Sequence, residues 1–163
     1  MKRLEHGGNA QKGKRKTARP FNPKLPIHVV FRSEKAKNRF SLNHQKFNRK
    51  IEILLHKLGL KYDIQVYEFA NSGNHLHLIL RSKAKLNLQN FLREFAGRVA
   101  LLVYPGKGKF WTSLVYTKLA RWGKQFKNLC TYVIQNHLEA LGIISYQERN
   151  TSQKKFFQIL YSS

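Results

Sequence analysis

Apolar and polar positions alternate along several short segments of the chain, and this alternation predicts β-strands. The clearest case is the segment 74–80, in which Leu76, Leu78 and Leu80 would point to one face of a strand. Turn residues at 71–73 predict that this strand pairs antiparallel with the one before it. Four strands are expected in all, at residues 27–32, 62–69, 74–80 and 110–117.

Three other segments carry apolar residues three and four positions apart, which predicts helices with one buried stripe. The first helix is expected to begin at Ser41, as its N-cap, and to end at Gly59. The second begins near Asn87, and the third covers residues 124–141 and ends at Gly142. A short apolar and basic tail at 154–161 fits a strand or a helix equally well.

The order of these elements is strand, helix, strand, strand, helix, strand, helix. The first six match a ferredoxin-like fold of the α+β class, a four-stranded antiparallel sheet with two helices on one face. The leucine face of strand 74–80 should lie against those two helices. Its opposite face, which carries His75 and His77, should then meet the third helix.

The balance of charge points to a polyanionic partner. Lys and Arg number 31 against 8 Asp and Glu, which gives a formal net charge of +23 and a pI near 10.5. No apolar run approaches the length of a membrane span. With Asp63 as the only aspartate and the glutamates scattered, a carboxylate-based nuclease site is disfavoured, and Cys130 alone excludes an internal disulfide.

Residues 1–24 carry eight Lys or Arg, one Glu and adjacent glycines at 7 and 8. This composition predicts a disordered basic arm, acting as a phosphate-binding arm or as a solubilising tail. A single folded domain is expected over residues 25–163.

Two candidate groups of side chains carry the chemistry. His75 and His77 share one strand face, so both imidazoles could bind a single divalent ion; the alternative is that each is hydrogen-bonded on a half-buried sheet. In the third helix, Tyr132 and Asn136 are four residues apart and lie together at the edge of the predicted apolar stripe. That stripe comprises Phe126, Leu129, Cys130, Val133, His137 and Leu141.

These motifs together resemble the HUH single-tyrosine transposases, and especially the REP-associated tyrosine transposases of bacteria. The resemblance rests on Asn-His-Leu-His at 74–77 and Tyr-Val-Ile-Gln-Asn at 132–136, with further matches at 27–32, 110–111 and 140–142. It implies that His75, His77 and Asn136 are ligands of Mg²⁺ or Mn²⁺ and that Tyr132 is the nucleophile.

The chain departs from the family pattern at two positions. His137 stands where the family usually has Pro after the Asn, so His137 or Gln135 could compete with Asn136 as the third ligand. Gly73 replaces a Pro that commonly precedes the Asn-His pair.

The resemblance implies a metal-dependent endonuclease and strand transferase that acts on hairpin-flanked single-stranded DNA through a 5′-phosphotyrosine intermediate. A non-catalytic nucleic-acid-binding module and a replication or conjugation initiator are the alternatives. We expect a monomer or homodimer in the bacterial cytoplasm, associated with the nucleoid. The residues expected to contact DNA are Lys107, Lys109, Trp111, Tyr116, Lys118, Arg121, Trp122 and Lys124. For the three aromatic residues among them, packing in the core is the alternative.

Overall fold

A computed structural model of the chain describes residues 4–106 and 108–148. Lys107 and the tail at 154–161 therefore lie outside the described residues. The strands are β1 (Glu5–His6), β2 (Ile27–Arg32), β3 (Ile64–Asn71), β4 (His75–Ser82) and β5 (Tyr116–Leu119). The α-helices are α1 (Asn48–Lys61), α2 (Lys85–Val103) and α3 (Lys124–Ala140). In the described ranges, no helix combines the length and apolarity that crossing a bilayer requires.

The strands form one sheet in the order β1-β5-β2-β4-β3, and every neighbouring pair is antiparallel. The predicted α+β fold with a four-stranded antiparallel sheet is confirmed, and the short strand β1 adds a fifth member at the edge. In the centre of the sheet, Val30 of β2 pairs with His77 of β4, and Arg32 pairs with His75. The two central strands thus carry the candidate histidines.

The main core lies between the sheet and helices α1 and α2. Leu76, Leu78 and Leu80 of β4 are fully buried there, in the same cluster as Ile51 of α1 and Phe95 of α2. Burial of these large apolar side chains stabilises the fold, each by about 1.5–3 kcal/mol relative to exposure. The prediction that the leucine face meets the first two helices is confirmed.

Two predicted boundaries are corrected. Helix α1 begins at Asn48 rather than Ser41. The Ser41 hydroxyl donates to Asn43 Oδ1 (2.7 Å) and to the carbonyl of Gly73 (3.3 Å), so it holds the β3–β4 turn instead of capping a helix. Gly59 lies inside α1, which continues to Lys61.

The fourth predicted strand is shifted along the chain. It was expected at 110–117, but β5 spans Tyr116–Leu119. Phe110 and Trp111 precede it in a loop that packs on the main core, where the Trp111 indole donates to the carbonyl of Ala96 at 2.9 Å. Their aromatic character, which suggested a strand, serves core packing instead.

The N-terminal arm also differs from the prediction of disorder. Its strand β1 pairs with β5, and a 3₁₀ turn follows at Gly8–Gln11. At Gly7, which has φ 78°, a Cβ atom would lie 2.0 Å from the carbonyl oxygen of Val115, so only glycine allows this close approach. Further along, Arg19 donates to the Val115 carbonyl at 3.0 Å and to the Thr117 hydroxyl at 2.5 Å. These long-range contacts replace the expected disorder.

Candidate active site

Helix α3 packs across the histidine face of the sheet, as predicted. A second, smaller buried cluster forms there from Ala70 of β3, Ile79 of β4, and Tyr132 and Val133 of α3. Tyr132 is only 2% exposed and Asn136 only 7% exposed. The sequence placed both residues at the edge of the buried stripe, and the structure corrects this, since they are at its centre.

The other end of the predicted stripe is not buried. Leu141 is half exposed, and His137 is only partly buried. The side of α3 that faces the sheet is therefore rotated from the predicted one towards Tyr132 and Asn136. The apolar stripe of α3 alone would predict that its leucines face the sheet. The sheet instead presents the small side chain of Ala70 beside His77, and the Tyr132 ring packs in the same buried cluster as Ala70.

The imidazoles of His75 and His77 lie side by side, with their ring centroids 4.6 Å apart and their planes nearly perpendicular. Burial is the main cause that lowers the pKa of His75 to about 4, and the nearby Arg32 adds to this effect. The His75 ring is therefore neutral at pH 7. A neutral imidazole keeps the lone pair that a metal ligand needs.

A third histidine, His28 of β2, extends this pair. Its Nε2 is 3.1 Å from Nδ1 of His77, and the two rings are stacked with their centroids 5.4 Å apart. Burial, followed by the charges of Lys118 and His75, lowers the pKa of His28 to about 3, so the His28 ring is neutral at pH 7. The sequence analysis gave His28 no role, although strand alternation places it on the same face as His77.

The Tyr132 ring meets both of these histidines edge-on. Its centroid is 5.6 Å from that of His77 and 6.3 Å from that of His28. One turn further along α3, the Asn136 amide nitrogen donates to the backbone carbonyl of Tyr132 at 2.7 Å. The phenol and the imidazoles predicted to act together are thus in contact, and the buried Asn136 lies one helical turn from that phenol.

The hydrogen bonds of the site decide which atoms could bind a metal ion. The Asn74 side-chain oxygen can only accept a hydrogen bond from His75 Nδ1 (2.5 Å), so the lone pair of His75 is on Nε2. His77 Nδ1 lies towards His28, and where Nδ1 is the donor of that bond the lone pair of His77 is on Nε2. The amide of Asn136 carries an oxygen, Oδ1, that could serve as a further ligand. Two imidazole nitrogens and one amide oxygen would make an uncharged set of potential ligands for a divalent metal ion.

Two further observations bear on the ligands. Within residues 4–106 and 108–148, no group of three or more His, Cys, Asp or Glu side chains is arranged to hold a metal ion. The Gln135 amide donates to Glu139 (3.0 Å) and to the Gln147 carbonyl (3.4 Å), and His137 lies near enough to Glu68 to affect the pKa of that carboxyl. Of Asn136, Gln135 and His137, the three candidates for the third ligand, only Asn136 is buried.

The residues predicted to contact DNA are dispersed. Trp111 lies on the side of the main core, away from the histidines. Tyr116 is buried on the histidine face, with its ring edge-on to His28, and Lys118 beside it forms an ion pair with Glu5 at 2.8 Å. Lys109 is exposed before β5, and the exposed side chains next to or at the start of α3 are Arg121, Trp122 and Lys124.

One family model and two solved structures are similar to this chain. The family model described as "Transposase IS200 like" matches residues 22–137. The solved structure of a REP-associated tyrosine transposase bound to a REP hairpin is 11% identical, covers 77% of this chain and 73% of its own, and has a TM-score of 0.58. A candidate transposase from Deinococcus radiodurans is 14% identical, covers 76% and 98%, and has a TM-score of 0.47. No curated protein matches the chain.

Proposed function

Because the chain belongs to the IS200-like transposase family, we propose that it is a metal-dependent endonuclease and strand transferase for single-stranded DNA. Its reaction passes through a 5′-phosphotyrosine intermediate. The observation that supports this best is the position of Tyr132, a buried phenol whose ring meets His77 edge-on within the cluster of buried histidines.

In this proposal, His75, His77 and Asn136 hold a Mg²⁺ or Mn²⁺ ion through two imidazole nitrogens and one amide oxygen. When bound, such an ion neutralises charge that develops on the scissile phosphate. His28 supports the ligand His77 in this proposal. His77 Nδ1–H donates to His28 Nε2, which keeps the lone pair of His77 on Nε2.

Tyr132 is the proposed nucleophile. Its phenolic oxygen forms a bond to phosphorus while the bond from phosphorus to the 3′-oxygen of the preceding nucleotide breaks. The phenol loses its proton, and the departing 3′-oxygen gains one. Because an unperturbed phenol ionises only at about pH 10, the polar surroundings of Tyr132 must assist this loss. The phosphotyrosine ester keeps the bond energy, so rejoining to another 3′-OH needs no nucleotide cofactor.

The proposed substrate is single-stranded DNA flanked by a hairpin. A net charge of +23 favours a polyanion, and a structural relative was solved with a REP hairpin. Next to α3, the Trp122 ring is 44% exposed and packs against Tyr67 and Phe126, so the cluster offers an aromatic surface on which bases could stack. Exposed cations at Arg121 and Lys124 flank it.

The experiment that tests the proposal incubates the protein with a library of hairpin-bearing single-stranded DNA and Mn²⁺. Denaturing electrophoresis should show a covalent protein–DNA adduct that is absent when a chelator replaces the metal. Digestion and mass spectrometry should place the attached nucleotide on the peptide that contains Tyr132. Tight DNA binding without any adduct would instead favour a non-catalytic binding module.

A further inference from the structure

A groove lies beside the histidine cluster on the same face of the sheet. It has a volume of about 360 Å³ and is bounded by the N-terminal arm, β2 and the loop before β5. Val30, Arg32 and Tyr116 contribute from the sheet, whereas Lys12 contributes from the arm and Lys109 from the loop. None of the ligands assigned above lies in this lining, so the groove is a separate site.

The groove adjoins the proposed catalytic residues through the strand register. Val30, in its lining, is the direct partner of His77, and Arg32 is the direct partner of His75. Directly opposed residues of antiparallel strands have Cα atoms about 4.5–5.5 Å apart, and their side chains point to the same face. A chain of DNA with its scissile phosphate at the histidines therefore has its neighbouring nucleotide within reach of this groove.

The lining has the chemistry of a nucleotide site. Three cations, Lys12, Arg32 and Lys109, outnumber the single acid Glu34. The hydroxyl side chains of the loop add hydrogen-bonding groups, and the volume lies within the range of pockets that hold small ligands. An anionic group with polar edges, such as a nucleoside phosphate, fits both the charge and the size.

The wall formed by the arm is built into the fold rather than loosely attached. The Gly8 amide donates to the Leu114 carbonyl at 2.8 Å, and His6 Nε2 is 2.8 Å from the carbonyl of Thr17. Arg19 then ties the far end of the arm to β5 through Val115 and Thr117. Lys12 is thereby held at the groove by contacts before and after it in the sequence.

We propose that this groove binds the nucleotide adjacent to the scissile phosphate, with Lys12 of the arm contacting its backbone phosphate. The inference deepens the proposed function and rests on it for the position of the scissile phosphate. It gives the N-terminal arm a specific place in substrate binding, in contrast to a general attraction of its charge for DNA.

The test measures the affinity of the full chain for single-stranded oligonucleotides that each carry one neutral methylphosphonate linkage. A Tyr132→Phe background prevents cleavage, and the oligonucleotide is the library sequence bound most tightly. Lys12→Ala should weaken binding up to about fivefold. In the unaltered arm, a methylphosphonate at the contacted linkage should lower the affinity, and Lys12→Ala should abolish this loss at that linkage alone. The linkage should lie within one nucleotide of the phosphate that the unaltered protein joins to Tyr132.

Lys14→Ala is the matched control, because Lys14 is an exposed cation of the same arm that does not line the groove. It should keep the full pattern of methylphosphonate effects. Equal patterns in both variants, or a coupled linkage far from the cleavage point, would overturn the inference. If the protein forms an adduct but no linkage depends on Lys12, the assignment of the groove is wrong and the proposed function stands. Coupling without any adduct overturns the proposed function and leaves the groove as a nucleotide site.

Discussion

The two faces of strand β4 differ in chemistry although they are equally buried. Leu78 on one face and His77 on the other both have 0% of their surface exposed. The leucine face meets the apolar side chains of α1 and α2, whereas the histidine face meets other imidazoles and the polar groups of α3. The two faces are therefore distinguished by the groups that each side chain contacts, because burial is the same on both.

The difference has an energetic meaning. Burying an imidazole removes it from water and disfavours its charged form, which is why the pKa of both His28 and His75 is lowered. Such burial costs stability, because these rings give up hydration that leucines never had. The leucine face offsets that cost, so a strand with this alternation can present neutral ligands in a buried site.

The largest expected effect on stability comes from the leucine face. Leu78→Ala should lower the free energy of unfolding by about 2–5 kcal/mol, since it leaves a cavity in the main core. Chemical denaturation measures this loss. Below the denaturation midpoint, the folded variant should bind Mn²⁺ as the unaltered protein does. A parallel loss of metal affinity would show that the two faces are not independent.

A substitution on the histidine face should instead abolish metal binding. His75→Ala removes a proposed ligand, so the rise in melting temperature that saturating Mn²⁺ gives should disappear. His56→Ala, at an exposed histidine of α1, is the control and should keep the full rise. If His75→Ala is stabilised by Mn²⁺ as much as the control, the assignment of His75 as a ligand is wrong.

A smaller effect is expected from the histidine behind the ligands. His28→Phe keeps an aromatic ring but cannot hydrogen-bond to His77 Nδ1, and loss of such a support typically lowers metal affinity about 10–100-fold. His28→Gln, which can still donate or accept, should recover part of the loss. Calorimetric titration with Mn²⁺ compares the three proteins. Equal affinities would mean that the contact between His28 and His77 does not orient a ligand.

The two tryptophans sharpen the comparison, because one lies on each side of the sheet. Trp122→Ala should weaken binding of single-stranded DNA by about 1–3 kcal/mol, the usual contribution of a stacked base, with little effect on unfolding. Trp111→Ala should instead destabilise the core in which its indole is bonded to Ala96. Fluorescence anisotropy and thermal unfolding separate the two effects. The reverse outcome would place the DNA on the leucine side.

Local patterns were enough to predict the centre of the sheet. The strands predicted at 27–32 and 74–80 are found at Ile27–Arg32 and His75–Ser82, and the predicted antiparallel pairing of β3 with β4 is confirmed. Both faces of these strands are specified by their own side chains. The errors arise where distant contacts decide. Ser41 bonds to the turn near Gly73, and the arm is fixed by Arg19, whose partners lie almost a hundred residues away.

The candidate site shows the same limit. The spacing of His75 and His77, and that of Tyr132 and Asn136, could be identified from the sequence because each pair lies on a single element. Which side of α3 turns towards the sheet depends on packing between elements, and so does the contact of His28 with His77. For this reason the sequence placed Tyr132 at an edge and gave His28 no role.

The central claim is that Tyr132 is the nucleophile, and Tyr116 provides a matched control. Both tyrosines are 2% exposed, and their ring centroids are 6.3 and 6.4 Å from that of His28. Replacing either with Phe removes one oxygen and should cost no more than about 1–3 kcal/mol of stability. Tyr132 belongs to α3 and lies one turn before Asn136, whereas Tyr116 belongs to β5.

The decisive measurement is therefore the yield of covalent protein–DNA adduct from Tyr132→Phe and Tyr116→Phe, with hairpin-bearing single-stranded DNA and Mn²⁺. Tyr132→Phe should give no adduct and no nicked product while binding the DNA nearly as tightly as the unaltered protein. Tyr116→Phe keeps the aromatic ring in the groove lining and should still give both products when the DNA is at saturating concentration. If Tyr132→Phe still nicks the DNA where His75→Ala does not, then another group, such as water, attacks the phosphate and the assignment of Tyr132 is wrong.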